Sequence, residues 1–145
     1  MNIFGLLAEH GPVIDTKTNQ EKELKDFPFK YLGLYFTATW CYHCVKIVDK
    51  LPIWLSKVNS GGEHLRLLTF RLDDDHSNFA YNYLRFKYMD NDRASQIAAN
   101  LGVRHIPSIV VYDFMGRLVS LNGLQDIMNN QENTIPYWDR KMGNQ

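Results

Sequence analysis

Tyr31-Leu32-Gly33-Leu34-Tyr35-Phe36-Thr37 is an apolar, aromatic-rich run of the kind that forms a strand buried on both faces, and Cys41 follows it closely. Cys41 and Cys44 are the only cysteines among 145 residues. Beyond them Cys44, Val48, Leu51, Leu55 and Val58 recur at steps of 4, 3, 4 and 3, which predicts a helix over residues 41–58 with these side chains on its buried stripe. A core strand that runs into a C-x-x-C at the start of a helix confines the chain to an α/β arrangement. The same local order is the one in which a cysteine pair performs thiol–disulfide exchange.

The other periodicities extend this order. Residues 12–18 read as a short first strand and turn, 19–26 as a short charged helix stopping before Pro28, and 65–72 as a second core strand. Helical segments are expected over 77–87 and 93–101. Ser108-Ile109-Val110-Val111-Tyr112 is a β-branched strand, 113–117 holds a Gly-containing turn, and 118–121 returns as the second arm of a hairpin. A last helix is expected near 124–130. The implied fold is α/β, a central mixed sheet, partly parallel and partly antiparallel, with helices on both faces. With 45% hydrophobic residues, one domain over 1–145 is expected. Residues 1–29 are its least defined part, either an extension or a first strand and helix.

Lys+Arg and Asp+Glu balance at 16 each, so no net field draws the chain to nucleic acid or to an anionic membrane. The apolar run near the N-terminus has no basic leader and is interrupted at Glu9, a poor secretory signal. No segment approaches the ~20 apolar residues that span a bilayer, and Lys141-Met142-Gly143-Asn144-Gln145 matches no retrieval signal. A cytoplasmic location is expected, where a lone cysteine pair is more readily catalytic than structural.

In the first turn of a helix the N–H groups lack partners, and the macrodipole favours an anion by roughly 0.3–2 kcal/mol. Cys41 is therefore expected to be the exposed, attacking thiolate, and Cys44, at the start of the buried stripe, the resolving thiol. A hydrogen bond from Cys44 and a cationic His43 would stabilise that thiolate further. No cofactor is required. A zinc site needs four ligands, and neither a second C-x-x-C nor an H-x-x-x-H is present. A non-catalytic pair is the plainer alternative, as is a spacer role for His43. Asp73-Asp74-Asp75 is expected to cap a helix in solvent, and Phe79, Tyr83 and Phe86, at i, i+4, i+7, to form a core face rather than a base-stacking surface. His105 reads as structural.

Three ordered stretches carry a resemblance to a known family: Leu34-Tyr35-Phe36-Thr37-Ala38-Thr39-Trp40-Cys41, the run from Gln96 through Gly102-Val103-Arg104-His105-Ile106-Pro107-Ser108, and Ile135-Pro136-Tyr137-Trp138. In these the chain resembles the thioredoxin superfamily, and within it the tryparedoxin and nucleoredoxin group. The resemblance implies a thioredoxin-like fold with Cys41 as nucleophile, Cys44 as resolving cysteine and Trp40 as the flanking indole. It implies a cis Pro107 against the pair, where the Ile106 backbone aligns an incoming chain. Tyr35 stands where ordinary thioredoxins carry a buried acid, a substitution the tryparedoxin-like group shares. The family's Pro-Pro between the cysteines is Tyr42-His43 here, the basic residue expected after the second cysteine is Val45 with Lys46 one later, and the expected helix proline is Asp49, with Pro52 displaced by three.

The expected activity is reduction of protein disulfides, with partners such as peroxidases and with a thiol reductant that is glutathione, trypanothione or a reductase. Two other functions stay open: a regulatory protein whose binding is gated by the Cys41–Cys44 state, and a disulfide isomerase or oxidase, suggested by His43.

Overall fold

The computed structural model describes residues 2–73 and 83–145. In chain order its elements are α1 (Ile3–Ala8), β1 (Val13–Asp15), β2 (Gln20–Lys22), β3 (Tyr31–Thr37), α2 (Tyr42–Ile47), α3 (Leu51–Val58) and β4 (Leu65–Arg71). There follow β5 (Leu84–Phe86), α4 (Asn91–Asn100), β6 (Ser108–Asp113), β7 (Leu118–Ser120), α5 (Gly123–Asn130) and α6 (Thr134–Met142). All residues of β3 are buried, so both its faces and both its edges must be covered. β4 pairs with it in parallel and β6 in antiparallel fashion, and they bring Thr69 and Ile109 to either side of Tyr35. The sheet order is β2-β1-β5-β4-β3-β6-β7. Pairing is parallel within β5-β4-β3 and antiparallel at every other junction.

Strand alternation divides the core in two. Leu32, Leu34 and Phe36 of β3 face one side with Leu68, Phe70, Val110, Tyr112, Ile3 and Leu7 of α1, and Ala94 and Ala98 of α4. Tyr31 and Tyr35 face the other with Leu65, Leu67, Ile109 and Val111, under Leu51 and Val58 of α3, Ile127 of α5 and Trp138 of α6. Gly33 lies between these facing residues: a Cβ there would come within 2.7 Å of Leu67 and 2.9 Å of Ile109. α6 is fastened to the sheet by polar contacts as well. Tyr31 Oη donates to Asp139 at 2.6 Å, Lys30 Nζ donates to the same carboxylate at 2.8 Å, and Trp138 Nε1 donates to Asp126 at 3.0 Å.

Several sequence expectations are corrected. The helix over 41–58 is two helices, because Pro52 in the first turn of α3 has no N–H to give and its ring excludes a continuous helical carbonyl before it. Residues 19–26 are not helical: Asp15 accepts from the Lys17, Thr18 and Asn19 N–H groups, Asn19 takes φ 61°, and the chain returns as β2 before a 3-10 turn at Leu24–Asp26. The exposed charges of β2 belong to an edge strand. Of the helix expected over 77–87, residues 77–82 lie outside the described residues, and Leu84–Phe86 is a strand paired to β1. Tyr83 and Phe86 consequently pack in different halves of the core and share no face, while Phe79 lies outside the described residues. α1 and α6 are additional to the expected elements.

Asp113, at the end of β6, is buried and organises the hairpin turn. Its carboxylate accepts from the Met115 and Arg117 N–H groups at 3.0 Å each and pairs with the Arg117 guanidinium at 2.8 Å. Burial pushes its carboxyl upward, but the bonds from Arg117, Met115 and Asn144 outweigh that and hold it below the usual carboxylate range. A depressed native value gives stability that is present above the ordinary carboxylate pKa and is lost as pH falls through the native one. Asp113→Asn should therefore lower unfolding free energy by about 1–3 kcal/mol at neutral pH. Urea melts should show the gap from wild type shrinking below about pH 4; a gap that persists unchanged in acid would contradict the assignment.

Candidate active site

β3 ends at Thr37, and Ala38-Thr39-Trp40 carries the chain to Cys41, the N-cap of α2. This loop is fastened by Asp73, just beyond β4. Its carboxylate accepts from the Thr39 N–H at 2.8 Å and from the Thr39 hydroxyl, and it lies 3.4 Å from Arg71 Nε. Asp73 is therefore a tie between two strand ends rather than a solvated helix cap, while Asp74 and Asp75 lie outside the described residues. Sequence reading missed this tie, since an acidic run looks the same whether it is solvated or bonded to a distant loop.

Cys41 and Cys44 are both free thiols. Cys41 Sγ accepts from the Cys44 N–H at 3.2 Å and sits 3.6 Å from the Ile106 carbonyl, to which the thiol donates. The sequence led us to expect an exposed Cys41, yet it retains only 7% exposure, against 0% for Cys44. Its N-cap position turns the sulfur inward, between the first turn of α2 and the Ile106 carbonyl. Burial pushes the Cys44 thiol well above its ordinary value, with the hydrogen bond to Cys41 acting in the same direction. The geometry thus supplies two buried sulfurs side by side, that of Cys41 slightly the more open and that of Cys44 fully enclosed.

Ile106 and Pro107 are half-buried, joined by a cis peptide as the resemblance implies, and Ile106 packs on the cluster formed by Ala38, Cys41 and Cys44. Trp40 and Tyr42 flank Cys41 and are 71% and 69% exposed. His43 is exposed as well. Its ring meets Tyr42 edge-on at 5.6 Å, and Lys46 Nζ lies 5.2 Å from the same tyrosine ring. Among the described contacts His43 makes none with either thiol. Among the described residues no group of three His, Cys, Asp or Glu side chains is placed to hold a metal ion, and no helix is long and apolar enough to cross a membrane.

No protein-family model matches the chain. It is similar to nucleoredoxin of Mus musculus, with 23% identity over 127 residues, which is 84% of this chain and 29% of that protein. The chain spans under a third of the length of the nucleoredoxins it matches. Among solved structures it superposes on tryparedoxin I of Crithidia fasciculata with a TM-score of 0.73, at 18% identity over 88% of this chain and 91% of that one. Tryparedoxin II complexed with glutathionylspermidine gives 0.68, at 18% identity over 84% and 88% of the two chains. The fold is thioredoxin-like, as in tryparedoxin, and the sequence likeness is to nucleoredoxin, so the chain is tryparedoxin- and nucleoredoxin-like.

Proposed function

We propose that the chain is a thiol–disulfide oxidoreductase that reduces protein disulfides through Cys41 and Cys44. The observation that carries this reading is the asymmetry of the pair. Cys41 keeps 7% exposure and its Sγ accepts from the Cys44 N–H at 3.2 Å, whereas Cys44 is fully buried. The Cys41 thiolate attacks a substrate sulfur; the Cys41–S bond forms, the substrate S–S bond breaks, and the departing sulfur leaves with the electron pair and takes a proton from solvent. Cys44 then loses its proton and attacks Cys41 Sγ. The Cys41–Cys44 bond forms, the second substrate sulfur leaves as a thiolate, and two electrons have passed from the pair to the substrate.

The exposed rings of Trp40 and Tyr42 offer apolar area beside the nucleophile for a disulfide-bearing protein, of which a peroxidase is one kind, and Ile106 and Pro107 line the approach. Regeneration of the dithiol takes an external thiol. The tryparedoxin II complex with glutathionylspermidine supports a thiol of the glutathione type, and a cytoplasmic setting would keep such a thiol reduced. The same exposed rim favours a second reading, a regulatory protein that docks a partner in one redox state of the pair. The isomerase or oxidase reading rests on His43, whose ring meets that of Tyr42 edge-on.

In an insulin-reduction assay driven by dithiothreitol, the wild type should turn over, Cys41→Ser should be inactive, and Cys44→Ser should stall as a mixed disulfide at Cys41. A wild type no faster than Cys41→Ser would overturn the oxidoreductase reading in favour of the binding protein. Iodoacetamide at neutral pH should modify Cys41 roughly tenfold or more faster than Cys44, since access and thiolate character both govern thiol reactivity. Peptide mapping that found equal or reversed rates would remove the assignment of roles.

A further inference from the structure

Beneath the cysteine pair the core is not apolar. On the odd-numbered face of β3 and β4 lie Tyr35, Thr37 and Thr69, all buried, with Tyr35 and Thr69 opposite one another in register. None of their three hydroxyls closes a hydrogen bond of normal geometry. A buried unpaired hydroxyl is costly, and several together beside one reactive group call for a reason. The Thr37 hydroxyl lies beside both the Cys44 thiol and the Tyr35 phenol, near enough to influence the ionisation of each.

We propose that Thr37 and Tyr35 are positioning residues for the resolving step: the Thr37 hydroxyl donates to the Cys44 sulfur as it becomes a thiolate, and the Tyr35 hydroxyl donates to Thr37 Oγ1. This rests on the oxidoreductase reading above. The direction of the chain follows from chemistry. Burial raises the Tyr35 phenol to about 12, so it stays neutral and keeps its proton to donate, while a threonine hydroxyl accepts one bond and gives another. A donor favours the charged form of its acceptor; Thr37 draws both the Cys44 thiol and the Tyr35 phenol downward against burial, and its one proton goes to Cys44 because that is the group that must ionise. The other titratable or charged groups around the trio are Cys41, Tyr83, whose ring lies 6.1 Å from Tyr35, and Arg71, paired across the strand with Thr37 and 3.4 Å from Asp73. Tyr83 is also pushed up by burial and stays neutral. In the step itself the Cys44 proton passes to solvent before the attack, the substrate sulfur leaves as a thiolate, and the two hydroxyls keep their own protons.

Stopped-flow reaction of the reduced protein with 5,5′-dithiobis(2-nitrobenzoate) separates the two steps. Attack by Cys41 releases the first thionitrobenzoate and displacement by Cys44 releases the second. Thr37→Val should slow the second phase about tenfold at pH 7, the equivalent of one unit in the thiol's ionisation, and Tyr35→Phe by a smaller factor. The gap should close as pH rises toward the range where Cys44 ionises unaided. The first phase should stay unchanged, Thr37→Ser should restore the second, and neither hydroxyl deletion should lower the melting temperature, because no normal hydrogen bond is lost. A second phase that is unaffected, slowed in the same ratio as the first, or slowed equally at every pH would overturn the proposal. If Thr37→Val does not fold, Tyr35→Phe and Thr37→Ser decide it on the same criteria. A wild type that never releases the second equivalent would instead overturn the oxidoreductase reading itself.

Discussion

β3 is buried along its whole length, and each feature of the site follows from that constraint. A strand with no exposed residue needs a partner on each edge and a layer on each face, which β4, β6 and the helices provide. The pairing with β4 is parallel, so the C-terminal ends of β3 and β4 emerge together and Asp73 can reach Thr39. The pairing with β6 is antiparallel, so the N-terminal end of β6 arrives at the same edge and brings Ile106 and Pro107 with it. Three distant stretches of chain meet around Cys41 because of one buried strand.

Where the sequence was legible, periodicity and chemistry agreed. The apolar run of β3, the β-branched run of β6 and the Gly-containing turn behind it each had a single physical reading, and the structure keeps all three. The errors came where a local pattern had two readings that only long-range pairing separates. Gln20, Glu21 and Lys22 are good helix formers, but they sit on an edge strand because Asp15 folds the preceding turn back on itself. Leu84 and Phe86 fit either a strand or a helix, and the antiparallel partner β1 decides for the strand. In the helix after the cysteines the apolar stripe was right through Leu51 and Val58, and only the continuity was wrong. A stripe records which face is buried and is silent about a break at Pro52.

The site was less legible than the fold. Both cysteines and the Ile106-Pro107 peptide could be picked out by pattern, whereas the contacts that hold them could not. The atom of Ile106 that meets Cys41 is its carbonyl, and a backbone atom has no signature in sequence. His43 looked important because of its place between the thiols. Its ring meets that of Tyr42 edge-on on the exposed side of the first turn, a contact that spacing alone does not specify.

The residues that differ from the tryparedoxin-like pattern and the one that differs from ordinary thioredoxins lie at different depths, and the division bears on which step each can influence. Tyr42, His43 and Lys46 lie on the outer side of α2, linked through the Tyr42 ring. They alter what an approaching molecule meets near Cys41 and leave the surroundings of Cys44 untouched. Tyr35 lies on the inner side, in the same enclosed layer as Cys44. Replacing a carboxylate by a phenol there removes a charge from a site where an unpaired charge is expensive. It also exchanges a proton acceptor for a donor. An enclosed thiol resists ionisation, and with no base beside it among the described residues the remaining way to favour its anion is to surround it with donors. On the oxidoreductase reading proposed above, the outer substitutions bear on recognition and the first attack, and the inner one on resolution. Because α2 separates the two layers, either can vary without undoing the other.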